Sequence, residues 1–140
     1  ALGIKAMLMM DVDNLKQIND SWGHEYGDKL LENAAQVLAR CPAPYKLAAR
    51  LSGDEFVMFV YRLESKDALK QYLEQMHLDM QATKIVLSDG SSLPVSFSCG
   101  YVMFDDNEDY HAVLKLADET MYQAKKHHKG EYILYEPEQP

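Results

Sequence analysis

The chain predicts an α+β fold of the ferredoxin-like type, a βαββαβ core whose central sheet contains antiparallel strands and is flanked by helices. Three observations predict it. Apolar runs of strand length alternate with helical stripes in the order strand, helix, strand, strand, helix, strand, followed by a further helix and strand. The second and third strands are separated only by Ser52-Gly-Asp-Glu55, the length of a hairpin connection. A chain of 140 residues with 47% hydrophobic content also buries a sizeable core as one domain, without a metal or disulfide staple.

Each element has its own warrant. Residues 6–12 form an apolar run that reads as a buried strand. A helix over 28–40 repeats apolar residues at Leu30, Leu31, Ala34, Val37 and Leu38, with helical period. Strands at 47–51 and 56–61 are rich in apolar and aromatic residues. A second helix over 66–80 carries Leu69, Tyr72, Leu73 and Met76 on one stripe. The polar turn Ser88-Asp-Gly-Ser-Ser92 then leads to a strand at 95–104, a helix at 110–127 with Val113, Leu116, Ala117 and Met121 inward, and a last strand at 132–135. Residues 1–5 run straight into the first strand, so the chain is expected to be a fragment lacking an N-terminal regulatory part. The tail from Glu136 to Pro140 has no apolar pattern and is expected to fray.

Two acidic clusters stand out against this frame. Asp11 and Asp13 end the first buried strand, where carboxylates are costly unless paired, hydrogen-bonded or bound to a cation. Asp54 and Glu55 leave the hairpin turn on a strand whose successive residues face opposite ways, so at most one points at a given centre. Magnesium favours one or two carboxylates together with substrate phosphates, and Asp11 with one hairpin acid forms such a site if the strands lie side by side. Helix capping is the competing reading for Asp11 and Asp13, and a solvated turn for the hairpin pair.

Bulk charge narrows the partners. A formal charge of −8 argues against a general nucleic-acid binder, which needs an electropositive surface. No apolar stretch reaches the length of a membrane span, so no membrane contact is expected of this domain. Cys41 and Cys99 lie in no metal-ligand spacing and read as reduced residues, the natural state in a cytoplasm, although the full-length protein can be membrane-anchored. His127 and His128 are adjacent, not three or four apart as a helical metal pair requires.

Between the acidic clusters the pattern D-x-D-x-x-K-x-x-N-D-x-x-G-H-x-x-G-D runs from Asp11 to Asp28. With the Ser52-Gly-Asp-Glu-Phe56 hairpin, the Val95-Ser-Phe-Ser-Cys-Gly100 strand and Ala117-Asp-Glu-Thr-Met-Tyr-Gln-Ala-Lys125, it resembles the GGDEF family, the diguanylate cyclases, over residues 7–135. The resemblance implies a nucleotidyl-cyclase, palm-like version of the α+β core. It implies two GTP molecules, one on each of two facing protomers, condensing to cyclic di-GMP and pyrophosphate. Asp11, the Val12 carbonyl and Asp54 would hold Mg2+, or Mn2+ in its place, and Glu55 would face the same centre as ligand or proton acceptor. Asn19 and Asp28 match the guanine readers, in keeping with a carboxylate accepting from the guanine N1 and N2 donors that adenine lacks. Lys16, Lys125 and Lys129 match the phosphate contacts, and Ser52 and Gly53 the turn beside the nucleotide. For Asn19, Asp28 and Lys129 the competing readings are a turn closure, a helix cap and a cation at a helix C-terminus.

The pattern departs from the family at named positions. Ser52 stands where the signature has its first glycine, and its side chain is expected to restrict the backbone there. Lys129 stands where an arginine is frequent. Ala43-Pro-Tyr-Lys46 replaces an Arg-x-x-Asp product-inhibition site, so tight product inhibition is not expected. The glycines around His24, Gly23 and Gly27, read as a loop with Trp22 and Tyr26 packed in it, which leaves His24 without a catalytic part. An active homodimeric cyclase is the leading expectation, driven by an N-terminal sensor or dimerising domain. The alternative is a domain that binds GTP and regulates a partner or fused domain with weak or no catalysis.

Overall fold

The computed structural model describes residues 3–137. Among them the order is β1 (Ile4–Val12), α1 (Leu15–Trp22), α2 (His24–Arg40), β2 (Lys46–Ser52), β3 (Glu55–Leu63), α3 (Lys66–Ala82), β4 (Lys84–Val86), β5 (Ser92–Pro94), β6 (Phe97–Phe104), α4 (Tyr110–His127) and β7 (Tyr132–Leu134). Five strands form one sheet in the order β2-β3-β1-β6-β7, antiparallel except where β7 runs parallel to β6. The expected βαββαβ core is there in β1, α1–α2, β2, β3, α3 and β6, with β1 central. The unit α4–β7 then extends the sheet by a parallel strand, which needs a helical crossover.

Because β1 is covered on both sides, it is buried from Ala6 to Val12 and reads as a continuous apolar run rather than an alternating one. Leu8, Met10 and Val12 face one side and pack with Leu30, Val37 and Leu38 of α2 and with α3. Met7 and Met9 face the other, against Val113, Ala117 and Met121 of α4. Each fully buried side chain of this size is worth about 1.5–3 kcal/mol, so the two layers fix the strand's faces firmly. Ser65 caps α3 by accepting from the Ala68 amide at 3.1 Å, and Asp109 caps α4 through the His111 amide at 3.0 Å.

Several sequence expectations change. Residues 15–22 and 24–27 are helical, not a loop: α1 buries Ile18, the chain turns at Gly23 with φ +99°, and α2 starts at His24. Gly27 therefore lies inside a helix, and Trp22 and Tyr26 meet edge-on across the α1–α2 junction at 6.3 Å. Starting α2 at His24 also puts Asp28 in its second turn, where it does not cap. The polar turn at 88–92 is flanked by β4 and β5, a small antiparallel ribbon apart from the main sheet. The strand expected from Val95 begins at Phe97. Cys41 and Cys99 are buried free thiols, as expected. Residues 136 and 137 have no regular structure, and the rest of the tail expected to fray lies outside the described residues.

Candidate active site

The site forms where the carboxyl end of β1 meets the β2–β3 hairpin and the last turn of α4. The β1–β3 register sets Asp11 opposite Glu55, and both fall on the sheet face that α4 covers. The turn itself is stitched to β1, since the Val12 amide donates to the Asp54 carbonyl at 2.8 Å. Arg50 braces it from β2, its Nε donating to the Gly53 carbonyl at 2.8 Å. The strands thus lie side by side, as a shared site between Asp11 and a hairpin acid requires.

Helix α4 delivers the cation. At Gly100 a Cβ would lie 2.1 Å from the Met121 amide nitrogen, so only glycine lets the helix backbone settle this close to β6. One helical turn further on, Lys125 Nζ donates to Asp11 Oδ2 at 2.5 Å and stands 4.0 Å from Asp54 Oδ2. The other Asp11 oxygen, Oδ1, is buried without a hydrogen-bond partner. Burial, then the neighbouring Asp54, pushes the Asp11 carboxyl up to about 7 against the pull of Lys125. An orphaned buried carboxylate oxygen beside a second carboxylate fits a divalent cation. Among the described residues no group of three or more His, Cys, Asp or Glu converges to cage an ion alone.

Asp13 does not take the capping part that was the competing reading for it. It is 2% exposed and accepts from Ser96 Oγ at 2.6 Å and Ser98 Oγ at 2.8 Å. Ser98 Oγ in turn accepts from the Gly130 amide, which ties the loop after α4 to the end of β1. The N-cap of α1 is Asn14, in the left-handed region at φ +69° and with no side-chain cap bond. Its Oδ1 accepts from Lys129 Nζ at 2.6 Å, so Lys129 is anchored at the start of α1 rather than spent on the α4 terminus. Lys16 stands exposed on the first turn of α1.

The expected guanine readers lie on the two helices that join at Gly23, Asn19 on α1 and Asp28 on α2. A Cβ on Gly27 would fall 1.8 Å from Asn19 Oδ1, so the missing side chain is what admits Asn19 there. Asn19 Oδ1 is buried and unpartnered. Asp28, the next residue along α2, opens onto a cleft of about 450 Å3 between α2 and β2 that also involves Leu31, Ala48 and Arg50. Ser52 does not take a left-handed conformation; the positive φ of the turn falls on Gly53, so serine is accommodated at the end of β2. Sequence reading missed the bracing by Arg50, the serine pair that holds Asp13 and the close approach at Gly27. Only Gly27 left a signal, as a glycine inside a pattern that continues as helix.

Fold and site together define an α+β sheet domain with an acidic, lysine-paired centre at a strand end and a separate cleft between α2 and β2 onto which Asp28 opens. The family profile described as "Diguanylate cyclase, GGDEF domain" matches residues 4–131, and the chain belongs to the GGDEF family. It is 30% identical over 130 residues to diguanylate cyclase DosC of Escherichia coli, covering 93% of this chain and 28% of that protein. It is 36% identical over 136 residues to diguanylate cyclase TpbB of Pseudomonas aeruginosa, covering 96% of this chain and 31% of that protein. The chain thus spans about a third or less of the length of these curated relatives. The GGDEF domain of DgcB from Caulobacter crescentus, solved in complex with c-di-GMP, superposes with a TM-score of 0.82 at 26% identity, over 94% of this chain and 77% of that one. Among the described residues no helix is long and apolar enough to cross a membrane.

Proposed function

We propose that the chain is the catalytic domain of a diguanylate cyclase, condensing two GTP molecules into cyclic di-GMP with release of pyrophosphate. The observation that carries this reading is the buried, unpartnered Asp11 Oδ1 in a centre that Asp11 shares with Asp54, both acids within reach of the Lys125 ammonium. The names of the relatives and the bound c-di-GMP of the DgcB domain support it. Asp11, the Val12 carbonyl and Asp54 would hold Mg2+, or Mn2+ in its place. Such an ion, when bound, supplies charge neutralisation on the triphosphate and acidifies a nearby hydroxyl.

The remaining roles belong to the chain. Asn19 and Asp28 orient guanine, the aspartate accepting from N1 and N2. Ser52 and Gly53 pass beside the nucleotide, and Lys16, Lys125 and Lys129 offset phosphate charge, Lys125 from a helix end already fixed against β6. Glu55, in register with Asp11, is assigned the proton of the attacking 3′-hydroxyl. The new bond joins that oxygen to the α-phosphorus of the GTP on the other protomer, and the bond to the β-phosphate oxygen breaks. One GTP site supplies half of a cyclic product, so catalysis needs a homodimer, held together in the full protein by an N-terminal sensor or dimerisation domain in the cytoplasm. Proximity across that dimer makes the ring closure effectively unimolecular.

The test is to fuse the chain to a dimerising element and incubate it with GTP and Mg2+. Cyclic di-GMP should form, ATP should not compete for the site, and Asp54→Ala should lower turnover at least 100-fold. GTP binding without product would point to a regulatory GTP-binding domain. No GTP binding would overturn both readings.

A further inference from the structure

Lys125 sets its ammonium against both acids of the proposed metal site. Its Nζ is 2.5 Å from Asp11 Oδ2 and 4.0 Å from Asp54 Oδ2. A Mg2+-type ion sits about 2.0–2.1 Å from each ligand oxygen, so an ion shared by the two carboxylates repels an ammonium already bonded to one of them and competes with it for the same negative charge. Resting on the metal-site reading above, we infer that Lys125 is a placeholder cation. It neutralises the acidic pair while the site holds no nucleotide, and must leave when a metal enters.

The helix cannot carry it away, because α4 is packed backbone to backbone against β6 at Gly100. Departure therefore falls to the four-carbon stem, whose flexibility lets the ammonium swing while its Cα stays in place. The side chain is 38% exposed and has an open route outward. Where it goes decides the energetics. Metal alone expels an ammonium from a short, charge-assisted bond and gives it only water in return. A triphosphate bound at the same time offers it a new anion. Metal and nucleotide then favour each other through Lys125, a coupling beyond whatever ligands the phosphates lend the ion. The device discourages occupation of the site by metal without substrate.

The experiment measures Mn2+ binding to the full chain without nucleotide, following free Mn2+ by electron paramagnetic resonance. The forms compared are the parent, Lys125→Met, Lys125→Arg and Asp54→Ala. Lys125→Met keeps the stem and removes the charge, and is expected to bind Mn2+ about five- to tenfold more tightly than the parent, the worth of a half-exposed ion pair. Lys125→Arg retains the competing charge and is expected to stay as weak as the parent. Parent and Lys125→Met affinities that are equal, with binding still lost in Asp54→Ala, overturn the placeholder and leave the metal site standing. Absence of saturable Mn2+ binding in every form overturns the placeholder together with the site it rests on.

Discussion

At the scale of single residues, the site is held in a state that costs stability. Asp11 is an acid whose folded-state pKa, about 7, lies above the value near 4 of an unfolded aspartate. The fold therefore favours its protonated form. The stabilisation from that form is complete below about pH 4 and is lost as pH rises through 7. Metal-free protein is accordingly predicted to lose thermal stability between about pH 4 and pH 7 beyond what its other groups dictate. Asp11→Asn, which cannot ionise, should remove that component and stabilise metal-free protein at pH 8 by something on the order of 1–3 kcal/mol, seen as a higher melting temperature. A variant that melts below the parent at pH 8 would show that the Lys125 bond outweighs the burial of charge.

Among elements, α4 governs how well the site is built. Gly100→Ala places a methyl group 2.1 Å from the Met121 amide and 2.5 Å from the Thr120 carbonyl carbon, both backbone atoms that can yield only if the helix lifts. The predicted outcome is a loss of about 2–4 kcal/mol in a denaturant melt, with metal and nucleotide binding weakened in the same protein. Unchanged stability would mean that α4 rides on its side chains instead. The bounds of α4 were legible in the sequence because its apolar stripe and basic last turn agree, and the Asp109 cap that the structure shows falls at the same start. Likewise legible were β1 and the hairpin, whose apolar runs break sharply at acids. Helix α1 was not, since eight mostly polar residues between Asn14 and Gly23 are too short a stretch for a helical period to stand out, and they depend on α2 to bury Ile18. The three-residue strands β4 and β5 are set by contact with α2 and α3, not by local preference. Within the site, the residue types at Asp11, Asp54, Asn19 and Asp28 could be chosen from the pattern. The bonds from Ser96 and Ser98 to Asp13 span more than eighty positions and had no local trace.

Taken as a whole molecule, the chain hides both of its thiols in the layer between the sheet and α2–α3. Burial raises the pKa of Cys41 and Cys99 alike, which keeps both as unreactive thiols. A disulfide-exchange reagent at pH 8 is predicted to label neither in the native protein, and to label both together at a rate that rises with denaturant as the unfolded population does. Labelling of one thiol well before the other would reveal that part of this layer opens separately.

The register between β1 and β3 has a consequence for how chain length can vary. The hairpin spends only Gly53 and Asp54 on its turn, with Ser52 and Glu55 already paired. Strands alternate faces every residue, so a single insertion there would rotate the following acid to the opposite side of the sheet. The β4–β5 ribbon carries its tip, Asp89 and Gly90, exposed and outside the main sheet, and nothing in the acidic centre hangs from it. Insertions, affinity tags or reporter loops thus have a natural port at that tip, while the short hairpin is closed to them.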